Sequence, residues 1–264
     1  MRVTFDTNTL DRAARPERFP KDPRQAEYVK VHDALAGGTV SGYFSETLVT
    51  LEGIENKDRV DVLGSTRLEN QTRATGENKI TISLTVQQDR KPLPPEFPRR
   101  IQAAQKLGMR ALRGPARIGW VRVRDDDGAF FGPEEDVLEI AKLVDKAGDV
   151  ANAIQKRGLG YAVAVGLGLQ FSARDGKVGE WWLQALRRAR DETERRRVQR
   201  AIAEWADADS IAAHVGYGID LFCSEDQGKS AGGISSILDA ANRAWLTATY
   251  GVQFATLTEL AAMV

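Results

Sequence analysis

Val3-Thr4-Phe5-Asp6-Thr7-Asn8-Thr9-Leu10 is the stretch whose reading decides the fold. Val3 and Phe5 are strand formers on alternate positions and Met1 precedes them, so the chain opens on a short strand. The strand stops in Asp6-Thr7-Asn8-Thr9, four small polar residues in a row. In open α/β sheets, ligands bind outside the carboxyl ends of the strands. A carboxylate there, beside hydroxyls and an amide, suits a metal ligand or a nucleophile. It suits equally well the N-cap of a following helix.

Outward from this strand, acids recur at places where an α/β fold gathers its loops. Residues 24–36 read as a helix with Tyr28, Val31 and Leu35 on one face, stopped by Gly37-Gly38. Residues 39–44 read as a second strand, and Ser45 is placed to cap a helix carrying Leu48, Leu51 and Ile54. Glu46 falls in its first turn, where the helix dipole favours an acid. Glu52 lies beside the apolar stripe, so its carboxylate must be solvated, paired or metal-bound. Far along the chain, residues 181–206 give the longest helical pattern. A further helix starts near Asp209, before Ile211-Ala212-Ala213. Residues 218–223 read as a buried strand ending in Ser224-Glu225-Asp226, acids past a strand terminus for the second time. Residues 251–255 make a last strand, and Thr256 and Thr258 precede a closing helix.

Asp6, Glu52, Asp209 and Asp226 therefore converge if these elements form one parallel sheet. Glu46 competes with Glu52, Asp207 with Asp209, and Glu225 with Asp226. Gathered carboxylates repel one another, and a hard divalent cation with a preference for oxygen, Mg²⁺ or Mn²⁺, relieves the repulsion. Such a cation polarises a phosphodiester, activates water and steadies a leaving oxygen. Thr7 and Ser224 are placed to hydrogen-bond a ligand or phosphate, and Asn8 to orient the acids from behind. His214 reads as structural or as a substrate neighbour, and His32 and His214, the chain's two histidines, argue against a histidine-rich zinc site.

The motifs carry a family resemblance. Val3-Thr4-Phe5-Asp6-Thr7-Asn8 resembles the opening strand of the PIN-domain nucleases. Ser45-Glu46-Thr47-Leu48-Val49-Thr50-Leu51-Glu52 is similar to their helix with the second acid, carried to Glu52. Asp209-Ser210-Ile211-Ala212-Ala213 is similar to the helix with the third acid. Leu221-Phe222-Cys223-Ser224-Glu225-Asp226 resembles their strand and threonine-x-aspartate ending, with Ser224 in the threonine's place and Asp226 as the fourth acid. The resemblance implies a Rossmann-like three-layer α/β/α sandwich around a parallel sheet. It also implies Mg²⁺- or Mn²⁺-dependent cleavage of RNA. Members include toxins of toxin–antitoxin pairs, so a protein inhibitor (an antitoxin) and a homodimer join RNA as expected partners. The chain departs from the pattern at residues 60–171, too long for an ordinary connection and read as an insertion or subdomain of a single 1–264 domain.

Charge and composition fit this reading. The chain has 37 basic and 37 acidic residues among 264. The balance hides basic segments at 90–124 and 187–200, which suit a phosphate backbone. Arg113, Arg117, Arg122 and Arg124 are the expected RNA contacts, the last two on one face of a strand at 119–124. No apolar run is long enough for a membrane span, and the sole cysteine, Cys223, excludes an intrachain disulfide, which fits a cytoplasmic protein. A haloacid-dehalogenase-like phosphatase needs a second aspartate where Asn8 stands. A non-catalytic RNA-binding protein would use the arginines and have no need of convergent acids.

Overall fold

The computed structural model describes residues 1–76, 79–89, 91–117, 123, 128, 130–132, 137–228 and 236–264. In chain order these form β1 (Arg2–Phe5), α1 (Thr7–Ala14), α2 (Gln25–Ala36), β2 (Ser41–Ser45), a π-helical turn (Leu48–Glu52), α3 (Arg59–Gly64), β3 (Arg67–Gly76) and β4 (Lys79–Gln87). Next come α4 (Glu96–Lys106), β5 (Arg110–Leu112), α5 (Val137–Lys156), α6 (Tyr161–Arg174), α7 (Trp182–Ala185) and α8 (Glu192–Gly216). The chain closes with β6 (Leu221–Cys223), α9 (Ala240–Tyr250), β7 (Phe254–Ala255) and α10 (Leu257–Met263).

Five strands make one parallel sheet in the order β5-β2-β1-β6-β7. Strand alternation explains its two coats of helices. Val3 and Phe5 of β1, Phe44 of β2, and Leu221 and Cys223 of β6 turn to one side, into a core closed by Leu10 and Ala13 of α1, Tyr28, Val31 and Leu35 of α2, Ile101 of α4, and Leu260 of α10. Phe222 turns to the other side, among Val150 and Ile154 of α5, Ile211 and Val215 of α8, and Leu246 of α9. The result is a Rossmann-like three-layer α/β/α sandwich. A third core sits beside the sheet, where Leu63 of α3, Leu167 and Phe171 of α6, Trp182 of α7, and Ile202 and Trp205 of α8 pack together.

Two glycines permit close approaches. A Cβ on Gly42 would meet Leu35 and Met109 side-chain atoms at 2.8 Å, so β2 lies against α2 with no room for a methyl group. A Cβ on Gly168 would meet the Trp182 carbonyl oxygen at 2.2 Å, which fixes α6 against α7. The small apolar segment around Gly166 and Gly168 lies within the helix α6.

Three boundaries differ from the sequence reading. Residues 64–78 read as a polar loop, yet β3 pairs with β4 as an antiparallel ribbon, with Leu68 opposite Val86 and Thr72 opposite Ile82. The polar strand had no apolar alternation of its own to reveal it; its partner supplies the ladder. The helix expected over 101–112 ends at Lys106, and Arg110–Leu112 joins the central sheet beside β2. The helices expected before and after residue 207 are one helix of 25 residues, capped by Asp191, whose side chain accepts the Glu194 N–H at 2.8 Å. The strand expected at 119–124, with Arg122 and Arg124, lies outside the described residues apart from Val123.

The buried His214 gives the fold a pH dependence. It stands on α8 with Nδ1 3.0 Å from the Thr4 hydroxyl and its ring edge-on to Phe222. Burial pushes its pKa down to about 3 from 6.5. The unfolded chain takes up a proton below the ordinary histidine value and the folded chain does not. The contribution of His214 to stability is therefore full above about pH 6.5 and is lost as the pH drops toward 3, against the opposite trend of the raised carboxyls Glu52 and Glu204. The loss at about pH 5 is on the order of 2 kcal/mol relative to neutral pH. Denaturant titrations of the wild type and His214→Gln at the two pH values check it: from neutral pH to pH 5 the variant should gain on the wild type by about that amount, and an equal change in both would assign the effect elsewhere.

Candidate metal centre

The sheet reverses its winding at β1. The chain passes from β1 to β2 and β5 on one side, then returns to β6 and β7 on the other. The crevice outside the carboxyl ends of β1 and β6 is the topological switch point, where open α/β sheets bind their ligands. Asp6 follows β1 there and Ser224-Glu225-Asp226 follows β6.

Asp6, Glu52 and Asp207 meet at this point. One carboxylate oxygen from each lies within 4.8 Å of the others. Asp6 is buried, and Glu52 and Asp207 are half-buried. Asp6 is both helix cap and cluster member: Oδ1 accepts the Thr7 N–H at 2.7 Å. Its Oδ2 accepts from the Ser224 hydroxyl at 2.6 Å and from Asn8 Nδ2 at 2.9 Å. The Thr7 hydroxyl hydrogen-bonds Glu52 Oε2. Among the described residues no hydrogen bond reaches the Asp207 carboxylate, and no lysine or arginine forms an ion pair with any of the three acids. Arg59 lies close enough for its charge to act on Glu52 and Asp207, but its Nη1 donates to the Gln199 carbonyl at 3.1 Å.

Burial first, and mutual repulsion after it, raises these carboxyls. Asp207 is raised well above the ordinary carboxylate range by desolvation and by the charges of Asp6 and Glu52. Glu52 is pushed up to about 7 by desolvation and then by Asp6. Asp6 is raised chiefly by desolvation, against the pull of its hydrogen bonds. A carboxyl raised in the folded state favours folding at low pH, and that stability is lost as the pH climbs. For Glu52 the window runs from about pH 4.5 to 7.

Three hard oxygen donors at this separation, one without a hydrogen bond, fit a divalent cation with oxygen preference. Asp6, Glu52 and Asp207 would hold it. Mn²⁺ or Mg²⁺ should raise the thermal midpoint at about pH 7.5, by the equivalent of about 2.7 kcal/mol when the ion is at a hundred times its dissociation constant. The shift should shrink near pH 5, where protons compete for the same oxygens. An equal shift in an Asp207→Asn variant would place the ion elsewhere.

The remaining expected residues fall as follows. Asp226 lines the same cleft, outside the tight trio, and its Oδ1 accepts the Gly228 N–H at 2.7 Å. Its charge reaches Asp6 and Asp207. Asp209 is not in the cluster; Asp207, its competitor in the sequence, stands there instead. Two residues along a helix turn it by about 200°. Asp209 thus faces away, its Oδ2 2.8 Å from Arg117 Nε and 2.7 Å from Trp205 Nε1. Arg117 is engaged with it: half-buried, it pairs with Asp209 and lies 4.0 Å from the Tyr161 ring centroid. Arg113 lies past β5 with its guanidinium 3.7 Å from the Phe131 ring centroid. Of the competing acids, Glu46 is buried and accepts the Gly114 N–H at 2.8 Å. Glu225 is held by Arg24 at 2.9 Å and by the Leu257 N–H at 3.1 Å.

The cleft over the trio encloses about 370 Å³ and is walled by Asp6, Glu52, Asp207, Asp226, Arg12 and Arg100, among others. Arg12 and Arg100 had no motif to mark them in the sequence. No family model, curated protein or solved structure matches the chain. No helix among the described residues is long and apolar enough to cross a membrane.

Proposed function

We propose that the chain is a PIN-like, Mg²⁺- or Mn²⁺-dependent endoribonuclease that hydrolyses RNA phosphodiester bonds in the cleft over Asp6, Glu52 and Asp207. The observation that carries the reading is the convergence of three desolvated carboxylates at the sheet's switch point, unpaired with any lysine or arginine among the described residues. Like charges held together in low dielectric are unfavourable without a cation, and they suit one. A purely RNA-binding protein would have no reason to gather them.

When bound, the cation supplies Lewis-acid polarisation of the phosphodiester and a lowered pKa for attacking water. The protein supplies position. Ser224, Asn8 and the Thr7 N–H fix both oxygens of Asp6, and the Thr7 hydroxyl turns Glu52 toward the trio. Such hydrogen bonds keep ligands oriented before substrate arrives. Asp226 lines the same cleft outside the tight trio and is the carboxylate left to accept a proton from water. Asn8 donates to Asp6 and carries no second carboxylate, which disfavours an aspartyl-phosphate route.

The test is incubation of purified protein with a mixed RNA pool, with Mg²⁺ or Mn²⁺ and with chelator, followed by end mapping. Metal-dependent internal cuts without 2′,3′-cyclic phosphates are expected, since water rather than the ribose hydroxyl attacks. Cleavage that survives chelation, or ends carrying cyclic phosphate, would sink the reading.

A further inference from the structure

The acid cleft has a second wall of opposite charge. Arg12 of α1 and Arg100 of α4 line the cavity that Asp6, Glu52, Asp207 and Asp226 also line. Arg12 hydrogen-bonds the Asn8 carbonyl through Nη1, and its guanidinium carbon lies 5.3 Å from the Phe19 ring centroid and 5.9 Å from that of Tyr28. Arg100 lies 6.0 Å from the Phe97 centroid, with Nε 3.8 Å from Asp11 Oδ2. Aromatic faces at these distances hold a guanidinium by cation–π attraction without using its donors. The Nε of each arginine is shut away from solvent with no hydrogen-bond partner. An unmet buried N–H costs about 1–3 kcal/mol. Among the described residues the fold holds these two side chains at the cleft with one hydrogen bond, from Arg12 to the Asn8 carbonyl, and one long ion pair, from Arg100 to Asp11.

Charge argues for what sits between the walls. A carboxylate trio alone repels a phosphate, even with one cation partly neutralising it. Two guanidiniums opposite supply paired donors matched to the non-bridging oxygens of a phosphodiester. Arg100 is near enough to Glu52 for its charge to act on that carboxyl, which puts the two walls within electrostatic reach. A cleft of about 370 Å³ is the size of a small-ligand pocket.

We propose that Arg12 and Arg100 grip the phosphate backbone of single-stranded RNA and present one phosphodiester to Asp6, Glu52 and Asp207. The assignment rests on the nuclease reading and adds to it the residues that bind the strand. It also moves the RNA contact away from Arg117, which is committed to Asp209.

The experiment uses the full chain carrying Asp6→Asn, to prevent cleavage, and a short fluorescent single-stranded RNA in Mg²⁺. Binding is followed by anisotropy over a salt series. Adding Arg12→Gln or Arg100→Gln should each weaken binding about tenfold, as the loss of a charge-assisted hydrogen bond does. Each should lower the log–log salt slope by about 0.7. Arg100→Lys should keep the slope, because the charge remains. Arg99→Gln, on the same helix but exposed and paired with Glu96, should change neither quantity. Arg12 also props Phe19 and Tyr28; if its variant melts early, the Arg100 pair of variants carries the test alone. RNA binding by the parent with an unchanged slope in Arg100→Gln would overturn this assignment and leave the nuclease reading standing. A parent that binds no RNA would overturn this assignment too, and the cleavage assay on the wild-type chain decides the nuclease reading separately.

Discussion

Asp6→Asn is expected to abolish metal-dependent RNA cleavage, a loss of at least about 10²–10³-fold, while leaving the protein folded. The magnitude follows from removing a charge that is useful only where negative phosphate and cation meet, as with other preorganised electrostatic groups. The fold survives because the asparagine oxygen still accepts the Thr7 N–H as a helix cap. The new amide nitrogen meets the donors Ser224 and Asn8, which both point at Asp6 Oδ2. That mismatch costs roughly 1–3 kcal/mol at a buried site. It is offset by relief of the repulsion that raises Glu52 and Asp207. The measurements are single-turnover cleavage and a thermal melt with and without Mn²⁺. Asp207→Asn should behave likewise, and in both variants the cation-dependent rise in melting midpoint should vanish. Full cleavage by Asp6→Asn would falsify the metal-ligand role.

Much of this site was legible because strand ends and helix starts leave local marks. Val3 and Phe5 alternate, Asp6 ends their strand, and Leu221–Cys223 delivers Ser224 and Asp226 to the same sheet edge. Glu52 stood beside an apolar stripe, and that placement distinguishes it from Glu46, whose Oε1 accepts the Gly114 N–H. Asp207 and Asp209 were a different problem. Both lie in the interior of α8, and which one turns to the sheet edge depends on the rotation of a 25-residue helix against α5 and α6. Tertiary packing sets that rotation, and the apolar residues after Asp209 pointed to the wrong acid. Arg117 was read as a surface cation because nothing near it in the chain foretells Asp209, 92 residues on. Arg12 and Arg100 belong to ordinary amphipathic helices and acquire meaning only when α1 and α4 come to border one cleft. The β3–β4 ribbon was half legible: Ile80, Ile82, Leu84 and Val86 alternate, but their partner strand is polar.

Asp209→Ala should destabilise the protein by about 3–5 kcal/mol and spare the chemistry of the folded fraction. Asp209 is 4% exposed and its carboxylate holds two donors at once, the Arg117 guanidinium and the Trp205 indole N–H. Truncation leaves a guanidinium buried against the Tyr161 and Trp205 rings with no counter-charge. An uncompensated buried charge is among the few single changes that reach this size. At about 2–4 °C per kcal/mol for a chain of this order, the melting midpoint should fall by roughly 10 °C. Removing the charge from both partners tests the cause. Arg117→Met with Asp209→Leu leaves no buried ion, so most of the lost stability should return, as it does when buried pairs are replaced by apolar residues. The contrast with Asp207 is the sharpest available between the two acids of α8. Asp207→Asn removes a repelled charge, so it should melt no lower than the wild type and be inactive. Asp209→Ala should melt much lower and, below its midpoint, still cleave. A stable but inactive Asp209→Ala would return the third acid to Asp209 and remove Asp207 from the centre.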